Sequence, residues 1–121
     1  MKKVLIVEDE TPIRNEYVQA ARRAGFDVIE ASDGEAAINL AMNEAPDAMV
    51  LDIILPKKHG FDVLKEIRAD DRTRAIPVIV MSNLAGGDNE TKAMSLGAQA
   101  YIVKTPGQTQ PVIDWLLNKL K

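Results

Sequence analysis

Two apolar runs of this chain each end in acid. Val4-Leu5-Ile6-Val7 leads into Glu8 and Asp9, and Met49-Val50-Leu51 leads into Asp52. If both runs are neighbouring parallel strands, their shared end carries three carboxylates. Carboxylates packed this closely repel one another and resist full ionisation unless a cation neutralises them. Oxygen-only ligands suit magnesium, which takes one or two carboxylates, keeps several waters and leaves room for a phosphate oxygen. Ser82 ends another apolar run and Lys104 the last one, adding a hydroxyl donor and a fixed cation. These are the parts of phosphoryl transfer through an acyl phosphate. A carboxylate such as Asp52 attacks phosphorus in line, the metal and Lys104 neutralise the equatorial oxygens, and Ser82 donates to a third.

The elements that must position these residues follow from patterning. Short β-branched apolar runs alternate with longer amphipathic stretches, as in repeated βα units around a parallel sheet. Strands are expected over residues 3–8, 27–31, 48–52, 77–81 and 100–103, most without polar alternation, as strands covered on both faces require. The first helix is expected over 12–24, with Thr11 as N-cap, Pro12 at the first helical position and Gly25 as a left-handed stop. A second starts around Asp33-Gly34 and ends before Pro46, with Ala37, Ile38, Ala41 and Met42 as its apolar stripe. A third covers 61–70, with Phe61, Leu64 and Ile67 on one face. The fourth, 89–96, follows a Gly86-Gly87 pair read as a mobile loop. The last, 108–120, is expected to bury Ile113, Leu116, Leu117 and Leu120. Five βα units account for residues 1–121 as a single domain, and ligands of such open sheets bind outside the carboxyl ends of the strands.

Composition excludes several functions. The 121 residues, 13.3 kDa and 46% hydrophobic content suit one ordinary core. A net charge of -3 and a pI of 5.1 leave no basic excess for a nucleic-acid surface. With no cysteine there is neither a disulfide framework nor a thiolate metal site. Met1-Lys2-Lys3 precedes an apolar run too short for a signal segment or a bilayer span, so a cytoplasmic protein without membrane contact is expected. His59 has no second histidine to form a ligand set and reads as a surface residue. Gly86-Gly87-Asp88 lacks the Lys-Ser/Thr pair of a nucleotide P-loop. Trp115 lies beside the inner stripe of the last helix, open to core packing or partner contact.

The acidic pair Glu8-Asp9, the stretch Leu51-Asp52-Ile53-Ile54-Leu55-Pro56 with Gly60 following, Met81-Ser82, Leu96-Gly97-Ala98, and Tyr101 three residues before Lys104 form one ordered set. In this set, which covers essentially the whole chain, the sequence resembles the two-component response regulator receiver domains of the chemotaxis-regulator type. The resemblance implies a flavodoxin-like, doubly wound (βα)5 three-layer sandwich. Its five parallel strands would lie in the order 2-1-3-4-5, placing strands one and three side by side so that the three acids meet. It also implies Asp52 as phosphoacceptor, and Glu8, Asp9, Asp52 and the backbone carbonyl of Ile54 as magnesium ligands. Ser82 and Lys104 would bind the phosphoryl group, and Tyr101 would be the aromatic side chain that turns inward as Ser82 is drawn to the phosphorylated site. A histidine kinase or histidine phosphotransfer protein would supply phosphate. A downstream protein or a second copy would be met through the face of the fourth helix, fifth strand and fifth helix, with no separate substrate turned over.

The chain departs from the family pattern in places. Glu8 stands where aspartate is commoner, and metal binding is expected to survive through a bridging water. The usual Lys-Pro, joined by a cis bond, is Lys104-Thr105-Pro106 here. A cis Lys104-Thr105 bond would cost ~3 kcal/mol, so the cis bond is expected to have moved to Pro106 or vanished. Ile54 and Leu84 occupy the two positions that govern water access. Neither can orient an attacking water, which implies slow self-dephosphorylation, and Asn83 adds bulk where small residues are usual.

Three other functions compete. A flavodoxin-like mononucleotide carrier is disfavoured because Glu8-Asp9-Glu10 would repel a cofactor phosphate. A phosphatase with a separate substrate lacks a second carboxylate shortly after Asp52 to act as general acid. A phosphorylation-independent receiver-like scaffold would require a broken site, whereas this set is nearly complete. The end of the chain just after the fifth helix leads to the expectation that no output domain is attached, in a stand-alone regulator or an excised receiver.

Overall fold

The computed structural model describes residues 1–83, 87–105 and 107–120. The strands are β1 (Lys3–Val7), β2 (Asp27–Ala31), β3 (Ala48–Asp52), β4 (Val78–Ser82) and β5 (Ala100–Val103). They alternate with the helices α1 (Thr11–Arg23), α2 (Gly34–Glu44), α3 (Gly60–Ala69), α4 (Gly87–Ser95) and α5 (Gln110–Lys119). All strand pairs are parallel, in the order β2-β1-β3-β4-β5, so the expected topology is present. Val7 pairs with Leu51, Asp52 with Met81 and Ser82 with Val103. Glu8, Asp52, Ser82 and Lys104 therefore leave the sheet at one end, in a row.

Side chains alternate between sheet faces, and both faces are apolar. Leu5, Val7, Met49, Leu51, Val78 and Val80 point into a core closed by α2, α3 and Ala93 of α4. Val4, Ile6, Ala48, Val50, Ile79 and Met81 point into a second core closed by α1 and α5. This is why most of the strands show no polar alternation; β2, at the sheet edge, exposes Asp27 and Glu30.

Helix ends depart from the expected pattern in instructive ways. Glu10, not Thr11, is the N-cap of α1, in extended conformation and without a side-chain capping bond; Thr11 is already helical. The Glu10 carbonyl accepts the first helical bond, from Arg14 N at 2.9 Å, because the chain turns directly off β1. Gly25 does provide the left-handed stop, at φ 98°. Asp33 caps α2 by accepting from Ala36 N at 2.8 Å. His59 is more than a surface residue: it is half-buried, and its ring Nδ1 accepts from Phe61 N at 3.1 Å, capping α3. Gly87, placed in a loop by the sequence pattern, opens α4, while Gly86 lies outside the described residues.

The inner stripe of α5 is Val112, Ile113 and Leu116, with Leu120 partly buried against the same core. Leu117, expected inside, is 41% exposed. The helix begins at Gln110, with Pro111 in its first turn, and the stripe 112, 113, 116, 120 leaves Leu117 on its flank. Trp115 packs against this core in part. No peptide bond between described residues is cis, Lys104-Thr105 included; Pro106 lies outside the described residues.

Two contacts fix α3, one at each end of the sheet. A Cβ on Gly60 would lie 2.5 Å from both the Asp52 carbonyl oxygen and the Ile53 Cα, and Gly60 N donates to Ile53 O at 2.7 Å. Only glycine lets α3 start so close against the end of β3. On the far side, the Arg68 guanidinium donates to Gly97 O through Nε and Nη2, at 3.0 and 2.7 Å, and through Nη1 to Arg74 O and Ile76 O at 3.0 and 2.7 Å. It ties the end of α3 to the approach to β4 and to the α4–β5 turn, and burial lowers its pKa.

Candidate functional site

At the carboxyl end of the sheet, one carboxylate oxygen each from Glu8, Asp9 and Asp52 lie within 4.8 Å of one another. β1 and β3 are adjacent because the chain crosses over between them, so acids 43 positions apart become neighbours. Glu8 is fully buried, Asp52 nearly so, and Asp9 faces solvent. The Glu8 backbone continues the sheet, its N–H donating to Ala31 O at 3.1 Å. Lys104, directly after β5, reaches across the end of β4. Its Nζ donates to Glu8 Oε1 at 2.7 Å and to Asp52 Oδ2 at 2.9 Å, with its side chain only 7% exposed. The extra methylene of Glu8 thus lets its carboxylate meet the lysine while Oε2 accepts from Glu10 N at 3.2 Å. Asp52 Oδ1 accepts from Ile54 N at 3.3 Å.

The electrostatics follow from this packing. Desolvation in the cleft, then the hydrogen bond and charge of Glu8, push the Asp9 carboxyl above its ordinary pKa. Burial, the largest single influence on Lys104, opposes its charge. The hydrogen bonds and charges of Glu8 and Asp52 together outweigh it, and the Lys104 pKa is raised. One ammonium inside a group of three carboxylates leaves negative charge uncompensated, and the donors are hard oxygens converging on one point. That donor set fits a magnesium ion.

A cleft of about 320 Å³ opens over the group, lined by Asp9, Glu10, Asp52, Ile54, Asn83 and Lys104. Ile54 and Asn83 line this cleft together with Asp52, and the Ile54 side chain is largely exposed. Ser82 is fully buried at the end of β4, and its carbonyl accepts from Lys104 N at 2.7 Å. Tyr101, on β5, is half-buried against the α2–α3 core and does not line the cleft. Leu84, the other water-access position, lies outside the described residues.

Sequence reading missed Arg14. Its Nη1 donates to the Glu8 carbonyl at 2.9 Å and its Nε to Glu30 Oε1 of β2 at 3.1 Å. A cation at the start of a helix runs against the helix dipole, and with no acid in the first turn of α1 that oddity was the available signal. Glu10 was read only as part of an acidic run, yet its N–H holds Glu8.

Ligands of a doubly wound parallel sheet bind outside the carboxyl ends of its strands, and there this chain carries an acid triad and a buried lysine. Comparison with known proteins gives the family: residues 4–112 match the response regulator receiver domain. A probable transcriptional regulator ycf27 from Guillardia theta is 41% identical over 103 residues, covering 85% of this chain and 39% of that protein. The transcriptional regulatory protein PdtaR of Mycobacterium tuberculosis is 35% identical over 104 residues, covering 85% and 49% respectively. Among solved structures, a CheY-like response regulator receiver domain protein from Methanospirillum hungatei superposes with a TM-score of 0.90 at 26% identity, covering 99% of this chain and 94% of that one. The chain belongs to the response regulator receiver domain family of two-component systems. It spans about half or less of the length of these curated relatives. No described helix is long and apolar enough to cross a membrane.

Proposed function

We propose that this domain is a phosphorylation-dependent switch in which Asp52 accepts a phosphoryl group from a histidine kinase or a histidine phosphotransfer protein. The observation that carries this reading is Lys104 Nζ hydrogen-bonded at once to buried Glu8 and to Asp52. It supports the reading because one fixed cation joins the Asp52 carboxylate to that of Glu8, with Asp9 close to both. Magnesium would be held by Glu8, Asp9, Asp52 and the backbone carbonyl of Ile54, and when bound it supplies positive charge to offset that of the incoming phosphoryl oxygens. An Asp52 carboxylate oxygen attacks phosphorus in line, forming the O–P bond as the donor's N–P bond breaks. Lys104 then exchanges its bond to Asp52 for one to a phosphoryl oxygen, and the Ser82 hydroxyl donates to another. Movement of Ser82 draws Tyr101 inward, and the face made by α4, β5 and α5 changes its preference for a downstream protein or a second copy.

In this reading residues 1–121 form one receiver domain that works in the cytoplasm, contacts no nucleic acid itself and turns over no separate substrate. Ile54 and Leu84 keep phosphate loss slow by offering no side chain to orient water. Intact mass after incubation with acetyl phosphate, with and without magnesium, tests the proposal. A single magnesium-dependent phosphoryl adduct, absent from Asp52→Ala, is expected. No adduct on the wild type would overturn it in favour of a scaffold that works without phosphorylation.

A further inference from the structure

The carbonyl of Glu8 lies beyond the last residue of β1 and, among the described residues, accepts from a side chain rather than from a strand. Arg14 Nη1 donates to it at 2.9 Å, and the same guanidinium is held from behind by Glu30 Oε1 at 3.1 Å. The arginine is itself well covered, with its side chain 15% exposed. Glu30 immediately precedes Ala31, whose carbonyl accepts from Glu8 N. The backbone of Glu8 is thereby gripped on both sides, at its N–H by β2 and at its C=O by an arginine that β2 holds in place.

That carbonyl belongs to the peptide unit joining Glu8 to Asp9. A peptide unit is planar, so orienting its C=O sets the directions in which the chain leaves the Cα atoms of both residues. One hydrogen bond therefore governs the aim of two of the three acids. The longer side chain of Glu8 has an extra rotatable bond to lose, which makes a fixed backbone matter more than it would for aspartate. We infer that Arg14, braced by Glu30, is a positioning residue for the cation site, orienting the Glu8–Asp9 peptide so that both carboxylates converge with Asp52. This rests on the proposed assignment of that triad to magnesium.

Charge and position make opposite demands at Arg14, and this gives the test its discrimination. A cation close to an acidic site repels a second cation, so if Arg14 acted only through its charge, removing it would tighten magnesium binding. If it acts by holding the peptide, removing it weakens binding, as outer-shell partners of metal ligands do, by about tenfold or more. The experiment is calorimetric titration of the purified domain with magnesium chloride, without any phosphodonor, for wild type, Arg14→Met, Arg14→Lys and Glu30→Ala. Thermal unfolding of the metal-free proteins serves as a folding check. Arg14→Met is expected to bind about tenfold more weakly. Arg14→Lys keeps the charge but cannot span Glu8 O and Glu30 together, and is expected to be weakened as well. Glu30→Ala should show a smaller loss in the same direction. Unchanged or tighter binding by Arg14→Met overturns the inference; if that variant does not fold, wild-type affinity in Arg14→Lys overturns it instead. A wild type that takes no magnesium overturns the assignment of the triad itself, before any variant is read.

Discussion

At the scale of single residues the site is a contest between three acids and one base. Removing one partner from a buried ion pair leaves an uncompensated charge and costs about 3–5 kcal/mol. Lys104→Ala should therefore lose about 3 kcal/mol or more in urea unfolding without metal, and magnesium should restore much of it, since a divalent ion can neutralise Glu8 and Asp52 in the lysine's absence. No recovery on adding magnesium would show that the three acids do not act together. Asp9 gives a pH signature. Its folded pKa is raised, so its contribution to stability is full below the ordinary carboxylate value of 3.8 and is lost as pH rises through the raised one. Metal-free wild type should lose stability relative to Asp9→Asn across that window, read from urea midpoints at successive pH values. A constant difference between the two would contradict the raised pKa.

At the scale of elements, α3 and α5 carry the sharpest expectations. Gly60→Ala would drive a methyl into the backbone of residues 52 and 53, which cannot rotate away as a side chain could. A loss of about 1–3 kcal/mol is expected, with slower labelling by acetyl phosphate because Asp52, the proposed acceptor, is displaced. On α5, Leu116→Ala should cost about 2–5 kcal/mol, whereas Leu117→Ser should cost under about 0.5 kcal/mol; equal losses in chemical denaturation would contradict the observed stripe. The same helix shows how far the sequence could be read. Its inner face was legible from spacing at Ile113 and Leu116, but Leu117 is as apolar as its neighbour, and only packing against the sheet and α1 core decides which of them is buried. The existence of the strands was legible in the apolar runs that end in Glu8, Asp52 and Ser82, whereas their order came only through the resemblance to the receiver family and agrees with the sheet observed. The Arg14–Glu8 and His59–Phe61 contacts were not legible, because both are made to backbone atoms, which sequence leaves unmarked.

At the scale of the whole molecule, one sheet is shared by two cores, so neither can be lost without exposing strands of the other. Trp115 fluorescence reports the α1–α5 side and far-UV circular dichroism the whole, and the two should trace a single coincident unfolding transition; separate midpoints would show that the layers are independent. The Arg68 anchor adds a further property. Most charged pairs of the described residues are side chains at the surface, whose attraction fades within about 8–10 Å at moderate ionic strength. Arg68 instead binds four times to carbonyl oxygens and to no carboxylate among the described residues, so dissolved ions have little to screen. The join between α3 and the α4–β5 turn, next to the face proposed for signalling, should therefore hold its geometry from dilute buffer to concentrated brine while the surface pairs around it fall silent.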